Sequence, residues 1–194
     1  MSQETSKCYA KRRERGDFKR YLLGNGIDIG AGNDPLLIDE GSVRAWDKED
    51  GDALYMEGVP DESYDFVYSS HCLEHMPEVQ LALTNWVRIL RPGGILYLVV
   101  PDFELYEKRQ WPSRFNSDHK ASFSLSIRQR RLSHYLVPEL VAWLDKEKAV
   151  TLLEAGLEDE GFDPSRFEED QTEISNGGAL CQIYLVGYKR KMVK

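Results

Sequence analysis

Nine consecutive residues, Gly26-Ile27-Asp28-Ile29-Gly30-Ala31-Gly32-Asn33-Asp34, constrain the chain more than any others. They read as a short buried strand that runs into a glycine turn, and such a turn lets a ligand approach the backbone closely. A dinucleotide would set its pyrophosphate on a turn of this kind and on the N-terminus of the helix after it. Here Asp34 and Pro35 follow the glycines, where an uncharged backbone approach is needed, and Asp28 precedes them. Two carboxylates repel a diphosphate. They suit a ligand with a nucleoside, no phosphate and a cationic end.

Beyond the turn, apolar runs bounded by turn signals alternate with helical stretches, the pattern of a parallel sheet covered by helices on both faces. Strands are expected at 27–29, 43–46, 64–70, 95–100 and 179–188. One helix follows Pro77 with Val79, Leu83, Trp86, Val87 and Leu90 on its apolar face, stopped by Arg91-Pro92-Gly93-Gly94; another is expected over 145–155, closed by Gly156. At 194 residues and 41% hydrophobic content, one well-buried domain over 1–194 is expected. The chain has no apolar run of membrane-spanning length, and its N-terminus is polar and basic, so a cytosolic protein with no membrane partner is expected. Cys8, Cys72 and Cys181 are odd in number and far apart, which gives neither a disulfide framework nor a zinc pattern.

A net charge of −8 argues against a general nucleic-acid binder, which needs clustered Lys and Arg. The charge is uneven, however. Residues 1–20 carry seven Lys/Arg against three Asp/Glu, and residues 103–143 carry seven against four, so the two segments are net +4 and +3. They are either solvated faces or two cationic grips on an anionic substrate.

Five elements in order now carry a resemblance. Ile27-Asp28-Ile29-Gly30-Ala31-Gly32 resembles the first motif of class I S-adenosylmethionine-dependent methyltransferases of the small, single-domain type. Asp47 stands 19 residues after Asp28, at the family's ribose-binding acid. Gly51-Asp52-Ala53-Leu54 resembles the adenine-contacting turn, residues 65–75 the fourth strand and its loop, and residues 86–94 the next helix and its stop. The resemblance covers roughly residues 22–102 and implies a Rossmann-like α/β fold: a mostly parallel seven-stranded sheet, helices on both faces and an antiparallel last strand. It implies S-adenosylmethionine as cofactor. Asp47 would accept from the ribose hydroxyls, Asp52 from the adenine amine, the Ala53 amide would donate to the ring and Leu54 would pack on its face. Gly30, Ala31 and Gly32, with Ser69, Ser70 and His71, would surround the methionine part. Asp28 is read as ordering the glycine loop through backbone N–H groups.

The family's substrate-specific insert begins here at Phe103 and holds Trp111-Pro112-Ser113-Arg114-Phe115-Asn116-Ser117-Asp118-His119-Lys120. His119 is the expected general base, with Asp118 or Asn116 as its orienter; Arg114, Asn116 and Lys120 are the expected acceptor contacts. His71, Glu74 and His75 form a second constellation. Relatives that methylate phenolic or quinone-like substrates resemble this stretch and bind a divalent metal there, with an acid in place of His71. No third carboxylate stands at ligand spacing, so no metal is expected and His71 is read as lining the cofactor pocket. Ser69-Ser70-His71-Cys72 differs from the tetrad of DNA amino-methylating enzymes, and no Pro-Cys nucleophile for cytosine occurs. Residues 111–123, Asp170-Gln171-Thr172 and the last strand resemble methyltransferases of polysaccharide and glycan synthesis, which implies O-methylation of a sugar, glycan or other small anionic acceptor. Methylation of another small metabolite on O or N, or a non-catalytic cofactor-binding partner protein of the same fold, are the alternatives.

Overall fold

The computed structural model describes residues 3–191. Strands β1 (Gly24–Ile29), β2 (Gly41–Trp46), β3 (Tyr64–Ser70), β4 (Leu90–Pro101), β7 (Val150–Glu158) and β8 (Gln182–Lys189) form one sheet in the order β2-β1-β3-β4-β8-β7. The first four run parallel, and β8 is antiparallel to both of its neighbours. Beyond β2, where a seventh strand would add, the chain passes through turns with Gly58 at φ 76°. A short parallel pair, β5 (Ser122–Ser124) and β6 (His134–Leu136), is built by the insert.

The sheet is covered on both faces, and each face has its own apolar core. Helix α3 (Val79–Ile89) and helix α4 (Val137–Lys148) pack on one face. Val79, Ala82, Leu83, Trp86 and Val87 recur at helical spacing and are all buried there. The other face is covered by α1 (Tyr9–Arg15) and α2 (Asp17–Arg20), whose Phe18 lies with Tyr21 and Leu22 against Phe66, Tyr68, Tyr97 and Val99. No helix follows the glycine turn: residues 31–40 are turns and coil, and the N-terminal helices cover that side of the sheet. Phe66 fills the space over Gly26, where a Cβ would lie 2.0 Å from its ring, so glycine at that point of β1 is a packing requirement.

Two expectations fail. The segment expected as a helix over 145–155 is the end of α4 followed by β7. Ala149 stops α4 in the left-handed region at φ 54°, and pairing with β8 claims residues 150–158. Gly156 is no helix stop; it faces Tyr184, whose ring a Cβ would meet at 2.8 Å. The solvated-face reading of the basic N-terminal segment also fails in part: Arg13, Lys19 and Arg20 are exposed, but Arg12 and Arg15 turn inward. Arg12 is fully buried over the rings of Tyr68 and Tyr97, 5.2 and 5.8 Å from their centroids, while Arg15 donates to Asp17 (2.6 Å), Glu158 (2.7 Å) and the Tyr97 hydroxyl (2.7 Å). Among the described residues no helix is long and apolar enough to cross a membrane.

Candidate functional site

The chain leaves β1 toward β2 on one side and later returns as β3 on the other, so the strand order switches at β1, and ligands of open α/β sheets bind at the carboxyl ends of strands beside such a point. The loops after β1, β2 and β3 meet there around a cavity of about 550 Å³ lined by Gly30, Trp46, Asp47, Lys48, Gly51, Asp52, Ala53, His71, Cys72, His75, Met76 and Asp118. That volume is ordinary for a nucleoside-sized ligand. A smaller cavity of about 140 Å³ continues along the glycine turn, past Gly30, Ala31, Gly32, Asn33, Asp34 and Ser70, and is closed by Glu4 and Thr5. A third, of about 250 Å³, lies toward the insert between Glu74, Tyr106, Phe115, Asn116 and His119. His71 lines all three.

Hydrogen bonds make the loops rigid. The N–H groups of Gly30 and Ala31 donate to the Trp46 carbonyl at 2.9 and 3.2 Å, which folds the glycine turn against the end of β2. Gly30 has φ 81° and lies so near Cys72 that a Cβ would meet the thiol carbon at 2.5 Å. Asp28 is buried beneath the turn and accepts from the Leu36 N–H at 2.7 Å; burial pushes its carboxyl up to about 7. Asp34 stands where a third glycine is frequent, and its Oδ2 accepts from the N–H groups of Thr5 and Ser6, both at 2.9 Å, clasping the N-terminal segment over the turn. The adenine-type turn is held from below by α3: Trp86 Nε1 donates to the Ala53 carbonyl (2.8 Å) and Asn85 to that of Leu54 (2.9 Å).

The structure gathers Asp47, Asp52, Ala53, Gly30 and His71 around the main cavity, and Ala31, Gly32 and Ser70 around its extension. Asp47 uses one oxygen on the Lys48 N–H, which leaves lone pairs for ribose hydroxyls. Two residues, Leu54 and Ser69, fall elsewhere. Leu54 lies in the core under the turn, because its carbonyl is held by α3 and its side chain is 5% exposed. Ser69 is buried and ties β3 to β1 by donating to the Ile29 carbonyl at 2.9 Å. Asp52 accepts from the Leu54 N–H at 2.8 Å and thereby shapes its own turn. Trp46, Lys48, Met76, Glu4 and Thr5 were missed in the sequence; for Trp46 the signal was its place beside Asp47 at a strand end.

On the acceptor side the geometry differs from expectation. His119 is buried, and its Nδ1 is 2.7 Å from Glu107, so Glu107 orients it. Asp118 is not its orienter: its carboxylate is exposed and reaches His75 Nδ1 and Lys120, each at 3.1 Å. Asn116 lines the acceptor-side cavity, but Arg114 is half exposed and paired with Glu168 at 2.7 Å, and Lys120 is exposed beside Asp118. Two more insert cations are packed against rings. Lys108 is buried under Phe162 and Phe167, and Arg131 lies over Phe103 and Trp111. Among the described residues no Lys or Arg side chain lines this cavity. Glu4, Glu74, Asp170 and Glu173 do, so the described residues give no direct cationic grip on an anionic acceptor.

His71 is held with a defined tautomer. Gln182 spends its amide N–H groups on Glu158 (2.6 Å) and the Cys8 thiol (3.2 Å), so its carbonyl oxygen accepts from His71 Nε2–H at 2.8 Å. Nδ1 then carries the lone pair, 3.6 Å from Glu74 Oε1. Burial holds His71 and His75 below the usual imidazole range, and burial beside Glu107 and Glu4 drives Glu74 well above the usual carboxylate range.

Comparison with known proteins bears on the fold and on the β1 to β4 region. Residues 26–98 match the family model described as a methyltransferase domain. A probable methyltransferase of Aspergillus luteorubrus, ltbC, is 37% identical over 82 residues, which is 37% of this chain and 29% of that protein. The chain thus matches less than a third of that relative's length. Among solved structures, an S-adenosylmethionine-dependent methyltransferase from Archaeoglobus fulgidus superposes with a TM-score of 0.57 at 15% identity, over 95% of this chain and 92% of the other. A possible histamine N-methyltransferase from Thermotoga maritima gives 0.54 at 20% identity, over 94% and 97%. The chain therefore has the Rossmann-like α/β fold of the class I methyltransferases, and its β1 to β4 region is similar in sequence to their methyltransferase domain.

Proposed function

We propose that the protein is an S-adenosylmethionine-dependent methyltransferase that methylates an oxygen of a small hydroxylated acceptor, of which a sugar or glycan unit is one kind. The observation that carries this reading is the meeting of three cavities at His71. The first has a carboxylate at the end of β2 for ribose, the second runs along the glycine turn for the methionine part, and the third opens from their junction toward the insert. A sulfonium methyl seated at the junction faces the third cavity. The acceptor oxygen forms the new C–O bond as the S–CH3 bond breaks, the electron pair returns to sulfur to give S-adenosylhomocysteine, and the hydroxyl proton leaves to a polar group of the cavity. His119, buried and oriented through Nδ1 by Glu107, is the group suited to take that proton at Nε2. Alignment and exclusion of water supply the rest of the rate.

A second reading has one observation in its favour. Four carboxylates line the acceptor-side cavity, which suits a cationic amine. Calorimetry with S-adenosylhomocysteine and with NAD tests the cofactor: one equivalent of the former and none of the latter is expected, and preference for NAD would sink the proposal. Transfer of labelled methyl to a panel of polyols and of small amines then separates O- from N-methylation. Label in the amines alone would replace the first reading with the second.

A further inference from the structure

The acceptor-side cavity contains a cluster that methyl transfer as derived above does not explain. Glu74, His75 and His119 each present a ligand atom, and the three atoms lie within 4.8 Å of one another. His119 Nε2 is 4.0 Å from Glu74 Oε1, and the two imidazole rings stand edge to face with centroids 5.0 Å apart. Glu74 is fully buried, yet neither of its carboxylate oxygens accepts a hydrogen bond. A buried carboxylate with no hydrogen bond is costly unless a ligand completes it.

We infer that Glu74, His75 and His119 form a binding site for a divalent first-row transition-metal ion at the wall between the cofactor and acceptor cavities. Two further features fit. First, each imidazole has its Nδ1 held by a carboxylate, His119 by Glu107 at 2.7 Å and His75 by Asp118 at 3.1 Å, which leaves both Nε2 atoms for the metal. Carboxylate support on the far ring nitrogen is how metal-binding histidines are fixed in tautomer and direction. Second, the two ligand-bearing segments are clamped together by main chain, because the Glu74 carbonyl accepts from the N–H groups of Lys120 and Ala121 at 2.7 and 2.9 Å. Ligands about 2.1 Å from one ion stand roughly 3 to 3.5 Å apart, so closure of about an ångström by side-chain rotation completes the site. Two imidazoles and one carboxylate select zinc-like and neighbouring ions over magnesium, which prefers oxygen ligands.

His71 stays outside the trio whose ligand atoms all lie within 4.8 Å of one another, although its Nδ1 is 3.6 Å from Glu74 Oε1. Three protein ligands leave open positions toward the acceptor cavity, and an acceptor hydroxyl with a neighbouring oxygen donor would occupy them. That last step rests on the O-methylation reading; metal binding does not. Bound metal would take the Nε2 lone pair of His119, so the residue would act as ligand in place of base and the ion would acidify the hydroxyl.

The test is titration of the chelator-treated full chain with Co2+, read by its ligand-field absorption, and with Zn2+, read by calorimetry. One equivalent should bind, unaffected by millimolar Mg2+. Glu74→Gln and His119→Ala should each weaken binding by about a hundredfold or more, Glu107→Gln by about tenfold, and His134→Ala not at all. Circular dichroism and S-adenosylhomocysteine binding report whether each variant is folded, and His119→Gln replaces the alanine variant if that one is not. Absence of Co2+ and Zn2+ binding to the folded wild type would overturn the inference, as would unchanged affinity in folded Glu74→Gln. Metal binding without cofactor binding would instead overturn the methyltransferase reading and leave the site standing.

Discussion

Asp28 should lower stability as pH rises, and replacing it with asparagine should remove that contribution. The carboxyl is 1% exposed at the end of β1, where its described hydrogen bond is the one accepted from Leu36 N–H, with Arg12, Asp34 and Asp47 as the charged neighbours that act on it. Burial raises its pKa from 3.8 to about 7 in the folded chain. An acid with a raised folded pKa is held neutral by folding, so the folded state binds more protons than the unfolded state between the two values. Its contribution is therefore fully favourable below the unfolded value and is lost as pH climbs toward about 7. A difference of about three pKa units corresponds to roughly 4 kcal/mol, and water reaching the carboxyl in the folded chain lowers this to an expected range of about 2–4 kcal/mol. Asn at this position keeps an oxygen for the Leu36 N–H and has no charge to desolvate. Urea unfolding of Asp28→Asn and wild type from about pH 4 to about pH 8 should give similar stabilities at the acid end, with the variant gaining about 2–4 kcal/mol on wild type by the alkaline end. A difference that stays flat across the window, or that favours wild type at the alkaline end, would refute burial as the dominant force on this carboxyl.

Asp47→Ala should weaken S-adenosylhomocysteine binding by about 1.5–3 kcal/mol, since a charged acceptor is lost from the ribose end, while the melting temperature hardly moves; calorimetry with unchanged affinity would remove Asp47 from the site. Gly30→Ala combines a strained positive φ with a contact at 2.5 Å to Cys72, and about 2–5 kcal/mol of stability should be lost in urea unfolding. Arg15→Ala leaves Asp17 and Glu158 buried without their cation and should cost about 3–5 kcal/mol, whereas Arg13→Ala, whose partner Asp39 is exposed, should change stability by less than about 1 kcal/mol. Equal effects of the two arginines would show that the buried network contributes no more than a surface pair.

What could be read in the sequence was local, and what could not was made by partners far along the chain. Strand β3 and helix α3 declare themselves because burial follows their own periodicity: β3 is buried almost throughout, and α3 presents one apolar stripe. Strand β7 does not, because it lies at the sheet edge with Leu152, Leu153 and Leu157 partly exposed, so its pattern lacks the alternation that separates strand from helix. The cofactor side was legible for the same reason as β3. Each of its loops starts at a strand end, so Gly30, Asp47 and His71 are named by the strands that precede them. The basic N-terminal segment misled because charge in a sequence says nothing of burial, and Arg12 is buried by the rings of Tyr68 and Tyr97 on β3 and β4. His119 shows the limit most sharply. Its neighbours in sequence, Asp118 and Lys120, point to an exposed loop with an adjacent orienter. Its place is instead fixed by the two bonds from Lys120 and Ala121 to the Glu74 carbonyl, which carry it inward to Glu107 and within reach of His75. A contact across some forty-five residues leaves no spacing to recognise, and so the third member of the Glu74 and His75 cluster could only be found once the insert was folded back onto the loop after β3.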